Sequence, residues 1–191
     1  MGCAPGGRRH EQKLSGTVAV GMWGSFVVCR SEQPLDDVTA IIERDDGLSG
    51  YWTGPSGWQV GEYPGSFIVD DAAQLLVDLV AETKAPALTG FVMDSDCVDI
   101  QAHASKSGSW RACLDRAAMA SYLAEDGTSL ADRFLAPAEA AQRARQWAEE
   151  AGLSASPHRL EHLFGDAHAD PLAEDLFFGL LTALGLEVEE S

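Results

Sequence analysis

The sequence predicts an α+β fold. Up to residue 115 the apolar residues fall in short β-branched or aromatic runs broken by turn chemistry, with two helical stripes between them. After residue 116 the apolar period is helical throughout, and strands followed by helices indicate α+β. The 191 residues are 46% hydrophobic and 23% charged, the composition of a globular chain long enough to bury a core without disulfides or metal.

Each element has its own signal. Met22 to Arg30 (MWGSFVVCR) is β-branched and aromatic and reads as a strand. Pro34 opens a helix over 34–44, with Leu35, Val38, Ile41 and Ile42 at helical spacing and Asp45, Asp46 and Gly47 ending it. Ser49 to Thr53 and Trp58 to Tyr63 form a hairpin around Gly54-Pro55-Ser56-Gly57, where Pro pre-sets φ and Gly tolerates positive φ. Asp70 and Asp71 offer an N-cap to the stripe Ala72, Leu75, Leu76, Leu79 and Val80, which Pro86 stops. Ala87 to Asp94 is a strand. Cys97 to Ala104 alternates, with Val98, Ile100 and Ala102 on one face, and Lys106-Ser107-Gly108 turns it back into a strand from Trp110 to Asp115. Helices follow over 116–124, 128–135 and 137–151, then from Pro157, capped by Ser156, to Gly165. The last helix starts at Pro171, carries Leu172, Leu176, Phe177, Leu180 and Leu181, and ends at Gly185.

Strand, helix, strand, strand, helix, strand is the βαββαβ order of a ferredoxin-like unit, which packs both helices on one sheet face and leaves the other bare. The expected architecture is therefore a ferredoxin-like core with an added antiparallel hairpin over 22–115. A helical extension over 116–185 packs on the same core and covers the bare face. Residues 1–21 are expected to be a disordered leader and 186–191 a frayed tail. The fold hosts many unrelated functions and so supplies none.

Charge narrows the function classes. The chain has 13 Lys and Arg against 30 Asp and Glu, a net −17. The first 30 residues carry +3 and the remainder −20; residues 166–191 hold seven acids and no Lys or Arg. Phosphate binding needs clustered Lys and Arg, so a nucleic-acid partner is not expected, nor docking on anionic lipid. No apolar run reaches the ~18 residues of a membrane span. Arg8-Arg9 is followed by no apolar export segment, and Met1-Gly2-Cys3 lacks the Ser or Thr a myristoylation site needs at position 6. Cys3, Cys29, Cys97 and Cys113 stand far apart, as suits a reduced, cytoplasmic protein. The Ala-, Gly- and acid-rich make-up is of the high-GC bacterial kind.

Four patterns bear on chemistry. His158-Arg159-Leu160-Glu161-His162 fits the inverted-zincin motif: His158 and His162 fall on one helix face as zinc ligands and Glu161 is placed to activate water. The helix is short and near the end of the sequence, and a solvated face over Leu160, Leu163 and Phe164 is the simpler account. Asp94 and Asp96 can chelate a hard cation, but the stretch fails as an EF-hand at Val98 and Asp99, and a strand-to-strand turn explains it. Cys97 and His103 are too far apart along one strand to pair, and no nucleophile elbow or phosphate-binding loop occurs. Trp23, Tyr51, Trp52, Trp58, Tyr63 and Trp110 all fall in the expected sheet, where the core is their usual place; the Trp52–Trp58 hairpin is the expected patch if some are exposed.

The expected function is thus a small acidic protein-binding module, of the immunity or regulatory type, for a basic protein partner. Its expected binding residues are Trp52, Trp58, Asp94 and Asp96, with no cofactor and no catalytic residue. A zinc-dependent hydrolase using His158, Glu161 and His162 is one alternative. A small-ligand sensor with a pocket between the sheet and the C-terminal helices is the other.

Overall fold

A computed structural model describes residues 21–43, 47–64, 71–165, 167–170 and 172–190. Residues 1–20 of the expected leader, the helix-ending Asp45 and Asp46, Asp70 and Pro171 lie outside the described residues. The strands are β1 (Gly24–Arg30), β2 (Gly50–Thr53), β3 (Trp58–Pro64), β4 (Ala87–Met93), β5 (Cys97–His103), β6 (Trp110–Leu114) and β7 (Glu189–Glu190). They form one seven-stranded sheet in the order β6-β5-β4-β1-β3-β2-β7, and every neighbouring pair is antiparallel. The helices are α1 (Thr39–Ile42), α2 (Ala72–Thr83), α3 (Arg116–Glu125), α4 (Leu130–Arg133), α5 (Pro137–Glu150), α6 (Pro157–Gly165) and α7 (Ala173–Leu184). The mixed α+β class follows as the sequence predicts.

Strand alternation sends the two faces of the sheet to different helices. Val27 and Cys29 of β1 and Ala87 of β4 pack with Leu35, Val38 and Ile41 and with the α2 stripe of Leu75, Leu76, Leu79 and Val80. On the same face, Cys97 and Cys113 meet Met119, Leu123 and Phe134 beneath α3 and α4. Phe26, Val28, Trp58, Val60, Leu88, Val92, Val98 and Ile100 point the other way, into α5, α6 and α7. The added hairpin β5–β6 extends the sheet beyond β4, and the C-terminal helices cover the face that α1 and α2 leave bare.

Two contacts fix that second layer. The Trp147 indole N–H donates to the carbonyls of Ala87 (3.2 Å) and His103 (3.1 Å), and its ring tilts against Trp58 at 5.8 Å. A buried indole with its N–H satisfied adds apolar area at no polar cost. Gly90 lets α7 approach: a Cβ there would meet ring atoms of Phe177 at 2.5 Å, and Phe177 stacks on Phe26 at 4.6 Å and 13°.

Three local expectations change. The expected helix over 34–44 is a 3-10 turn, Leu35–Asp37, and the single turn α1, because Val38 between them is extended (φ −75°, ψ 123°). The apolar spacing holds in part, since Leu35, Val38 and Ile41 are buried but Ile42 is exposed, and β-branched Val38, Ile41 and Ile42 weaken helix propagation. The expected helix over 128–135 shrinks to α4, opened by a capping box between Ser129 and Asp132. The tail is not uniformly frayed: Leu186 is buried, and Glu189 and Glu190 pair with Thr53 and Trp52.

Candidate functional site

The residues named from the sequence are not brought together. Trp58 is 2% exposed, sandwiched in the core by Trp147, with the Arg30 guanidinium 5.8 Å over its ring. It is therefore a core residue and not part of an exposed hairpin patch. Trp52 is half-buried among Phe26 (5.9 Å) and Phe178 (5.1 Å), on the strand that pairs with Glu190 at the sheet edge. His158, Glu161 and His162 are exposed on α6, whose Leu160 and Phe164 are buried. Among the described residues no three His, Cys, Asp or Glu side chains gather as a metal-binding group, so nothing there supplies the pair with a further ligand.

His168, beyond α6, has its Nδ1 3.4 Å from Asp115 Oδ1. Asp115 is 7% exposed, and its carboxylate also accepts from the N–H groups of Ala118 (3.0 Å) and Ala169 (2.9 Å). Burial works against its ionisation, but those two N–H donors and His168 outweigh it and hold its pKa below the usual value. Cys97 and His103 lie at opposite ends of β5. The thiols of Cys29, Cys97 and Cys113 are each pushed up to about 12, chiefly by burial, so none is a thiolate nucleophile at neutral pH.

The space between sheet and C-terminal helices is filled by Phe26, Trp58, Trp147, Phe177 and Leu180, all buried. A groove of about 550 Å³ does lie along α5 and α6, lined by Ala138, Gln142, Arg145, Glu149 and Glu161, but it is open to solvent. A second groove, of about 910 Å³, runs past Arg30, Ser31, Gln33, Gly57 and Glu82. Its Glu82 is already committed, accepting from the N–H groups of Thr39 (2.9 Å) and Ala40 (3.0 Å).

Asp94 and Asp96 belong to a surface cluster that combines aromatic rings with carboxylates. Asp94 and Ser95 both have positive φ (52° and 58°), and the Asp96 N–H closes the β4–β5 turn on Met93 O at 2.9 Å. Aspartate tolerates the left-handed region better than most residues. Ser95 ties the turn down on two sides. It exchanges hydrogen bonds with Met22, donates its hydroxyl to Glu174 (2.8 Å) and accepts the Ala173 N–H on its carbonyl (2.8 Å). Beside this turn stands Trp23, 46% exposed, its ring 6.0 Å from Phe91 and 6.2 Å from Tyr122, edge-on to the latter at 88°. The Tyr122 hydroxyl donates to Asp96 Oδ2 at 3.0 Å. Burial, that hydrogen bond and the charges of Asp96 and Asp94 push the phenol up to about 12, so it remains a donor.

Sequence reasoning names Trp23 only as one of six sheet aromatics and does not reach Phe91 or Tyr122. Alternation along β1 and β4 places Trp23 and Phe91 on the α2/α3 face, but Tyr122 arrives from a helix whose packing the sequence leaves open. This arrangement can hold a flat cation against a ring and beside carboxylates. Among the described residues no helix is long and apolar enough to cross a membrane. The chain matches no protein-family model, no curated protein and no solved structure.

Proposed function

We propose that this chain is a cytoplasmic protein-binding module, of the immunity or regulatory type, whose carboxylate-rich surface receives a basic protein partner. The supporting observation is the charge of the chain: 13 Lys and Arg against 30 Asp and Glu, a net −17. Such a field steers a basic surface into contact and rejects an acidic one. The buried thiols, the scattered carboxylates and the exposed, unjoined His158 and His162 favour binding over catalysis. Within the fold we take the β4-β1-β3-β2 unit as ferredoxin-like, a reading supported by its chain order and antiparallel neighbours.

Affinity purification of the full chain from its own cells, at low and then high salt, tests this. The expected result is a stoichiometric partner rich in Lys and Arg that high salt releases. A partner without basic excess, or binding indifferent to salt, would refute it.

A further inference from the structure

We propose that the Trp23–Phe91–Tyr122 cluster and the Asp94–Asp96 turn form a seat for an arginine side chain of the basic partner. Because the seat presupposes such a partner, it rests on the function proposed above.

A guanidinium is planar and weakly hydrated, so it can lie flat on an indole while its fork reaches a carboxylate. Trp23 is nearly half exposed, yet Phe91 and Tyr122 brace it, so little side-chain freedom remains to be lost on contact. The turn is placed as firmly. Asp96 is held by Tyr122, and the turn is tied to Met22, Glu174 and Ala173. Among the described residues no Lys or Arg pairs with Asp94 or Asp96. Glu125 and Asp126, exposed where α3 ends one turn past Tyr122, add to the negative field. The structure also holds one internal example of the same chemistry. The Arg111 guanidinium lies 5.2 Å over the Phe134 ring and forks onto Asp99 across β5 and β6. At the Trp23 cluster the ring and the carboxylates are present and the cation is not supplied by the described chain.

Lysine would gain the charge term but little of the stacking, because its ammonium is compact and strongly hydrated. A free small cation is a poorer occupant, since the cluster is an open surface and encloses nothing.

The experiment is fluorescence anisotropy of the full chain with labelled octa-arginine and octa-lysine peptides of equal charge. The arginine peptide is expected to bind about 5- to 30-fold more tightly. Trp23→Ala is expected to bring the two within about twofold of each other, and Trp23→Phe to keep part of the preference. Asp94→Asn combined with Asp96→Asn removes charge without touching an apolar contact and is expected to weaken the arginine peptide selectively. Circular dichroism checks that each variant folds. Equal binding of both peptides, unaffected by Trp23→Ala, would overturn the seat and leave the acidic-surface function standing. Failure of both peptides to bind at low salt would overturn both. Two other occupants would also refute the seat. One is the chain's own leader, shown if Arg8→Ala with Arg9→Ala tightens peptide binding. The other is a second copy, shown by a dimer in sedimentation that Trp23→Ala dissociates.

Discussion

Replacing Asp115 by Ala tests how the two halves of the chain are joined. The residue follows β6, carries a φ of 48°, caps α3 through Ala118 and holds the segment leading into α7 through Ala169. Loss of the cap costs about 1 kcal/mol. Loss of a charge-assisted bond to a second N–H costs about 1.5–3 kcal/mol. Alanine in the left-handed region adds up to about 1 kcal/mol beyond what aspartate pays there. The total is about 3–5 kcal/mol, read as a fall in the urea midpoint at unchanged slope. Asp115→Asn keeps an acceptor and tolerates the backbone, so it should cost about half as much. The two substitutions also separate by pH. The folded pKa lies below the ordinary 3.8. The carboxylate's contribution is therefore complete above 3.8 and is lost as pH falls through the lower folded value. The gap between wild type and Asp115→Asn should be widest near neutrality and close in acid. A cost under about 1 kcal/mol for Asp115→Ala, or identical costs for the two variants, would refute the joining role.

Three further outcomes are expected. Gly90→Ala drives a methyl into Phe177 and should cost about 1–3 kcal/mol by thermal or urea unfolding; a neutral result would mean that α7 can shift. Glu82→Gln should cost less than about 1 kcal/mol, because the carboxylate that caps Thr39 and Ala40 is open to solvent. The folded Glu82 pKa lies below the ordinary 4.5, so that cost is present above 4.5 and fades as pH drops through the folded value, a trend urea midpoints across acidic pH will show. Cys29, Cys97 and Cys113 should resist a thiol-specific reagent such as DTNB in the native protein and react only as fast as the chain opens; prompt release of their colour would contradict their burial.

Periodicity made most of the fold legible. The α2 stripe, the β5 alternation and the α7 stripe were all readable because one face of each element is buried and the other is not. The stretch around Val38 is not legible in this way, because its apolar spacing suits a helix while its backbone breaks into an extended residue, and spacing does not report φ and ψ. Trp52 and Trp58 illustrate the limit for the site. They are six residues apart in one hairpin and share its polar loop, yet one is half-buried and the other belongs to the core. What decides is Trp147, 89 positions away, whose approach no local pattern announces. Asp94 and Asp96 could be named from the sequence as a turn. Their rings could not, because Trp23, Phe91 and Tyr122 come from three separate elements.

The position of the cluster follows from where helical cover runs out. On one face α2 packs on β1, β4 and β5, while α3 and α4 sit over the ends of β5 and β6. On the other face α5, α6 and α7 leave the core closed. Trp23 stands just before β1, at the same end of the sheet as the β4–β5 turn, where α3 reaches it only with Tyr122. An indole left half in water costs apolar exposure that a helix extended by one turn would remove. Here the turn beyond Tyr122 carries Ala124, Glu125 and Asp126, all exposed, which are too small or too polar to cover a ring and which add negative charge to that end of α3. Aromatic exposure and acid placement thus reinforce each other at one point of a surface whose net charge is spread widely. In the function proposed above, the spread charge would set which partners approach, through long-range steering that salt weakens. On the same proposal, the braced ring and the tied turn would set which side chain those partners deliver.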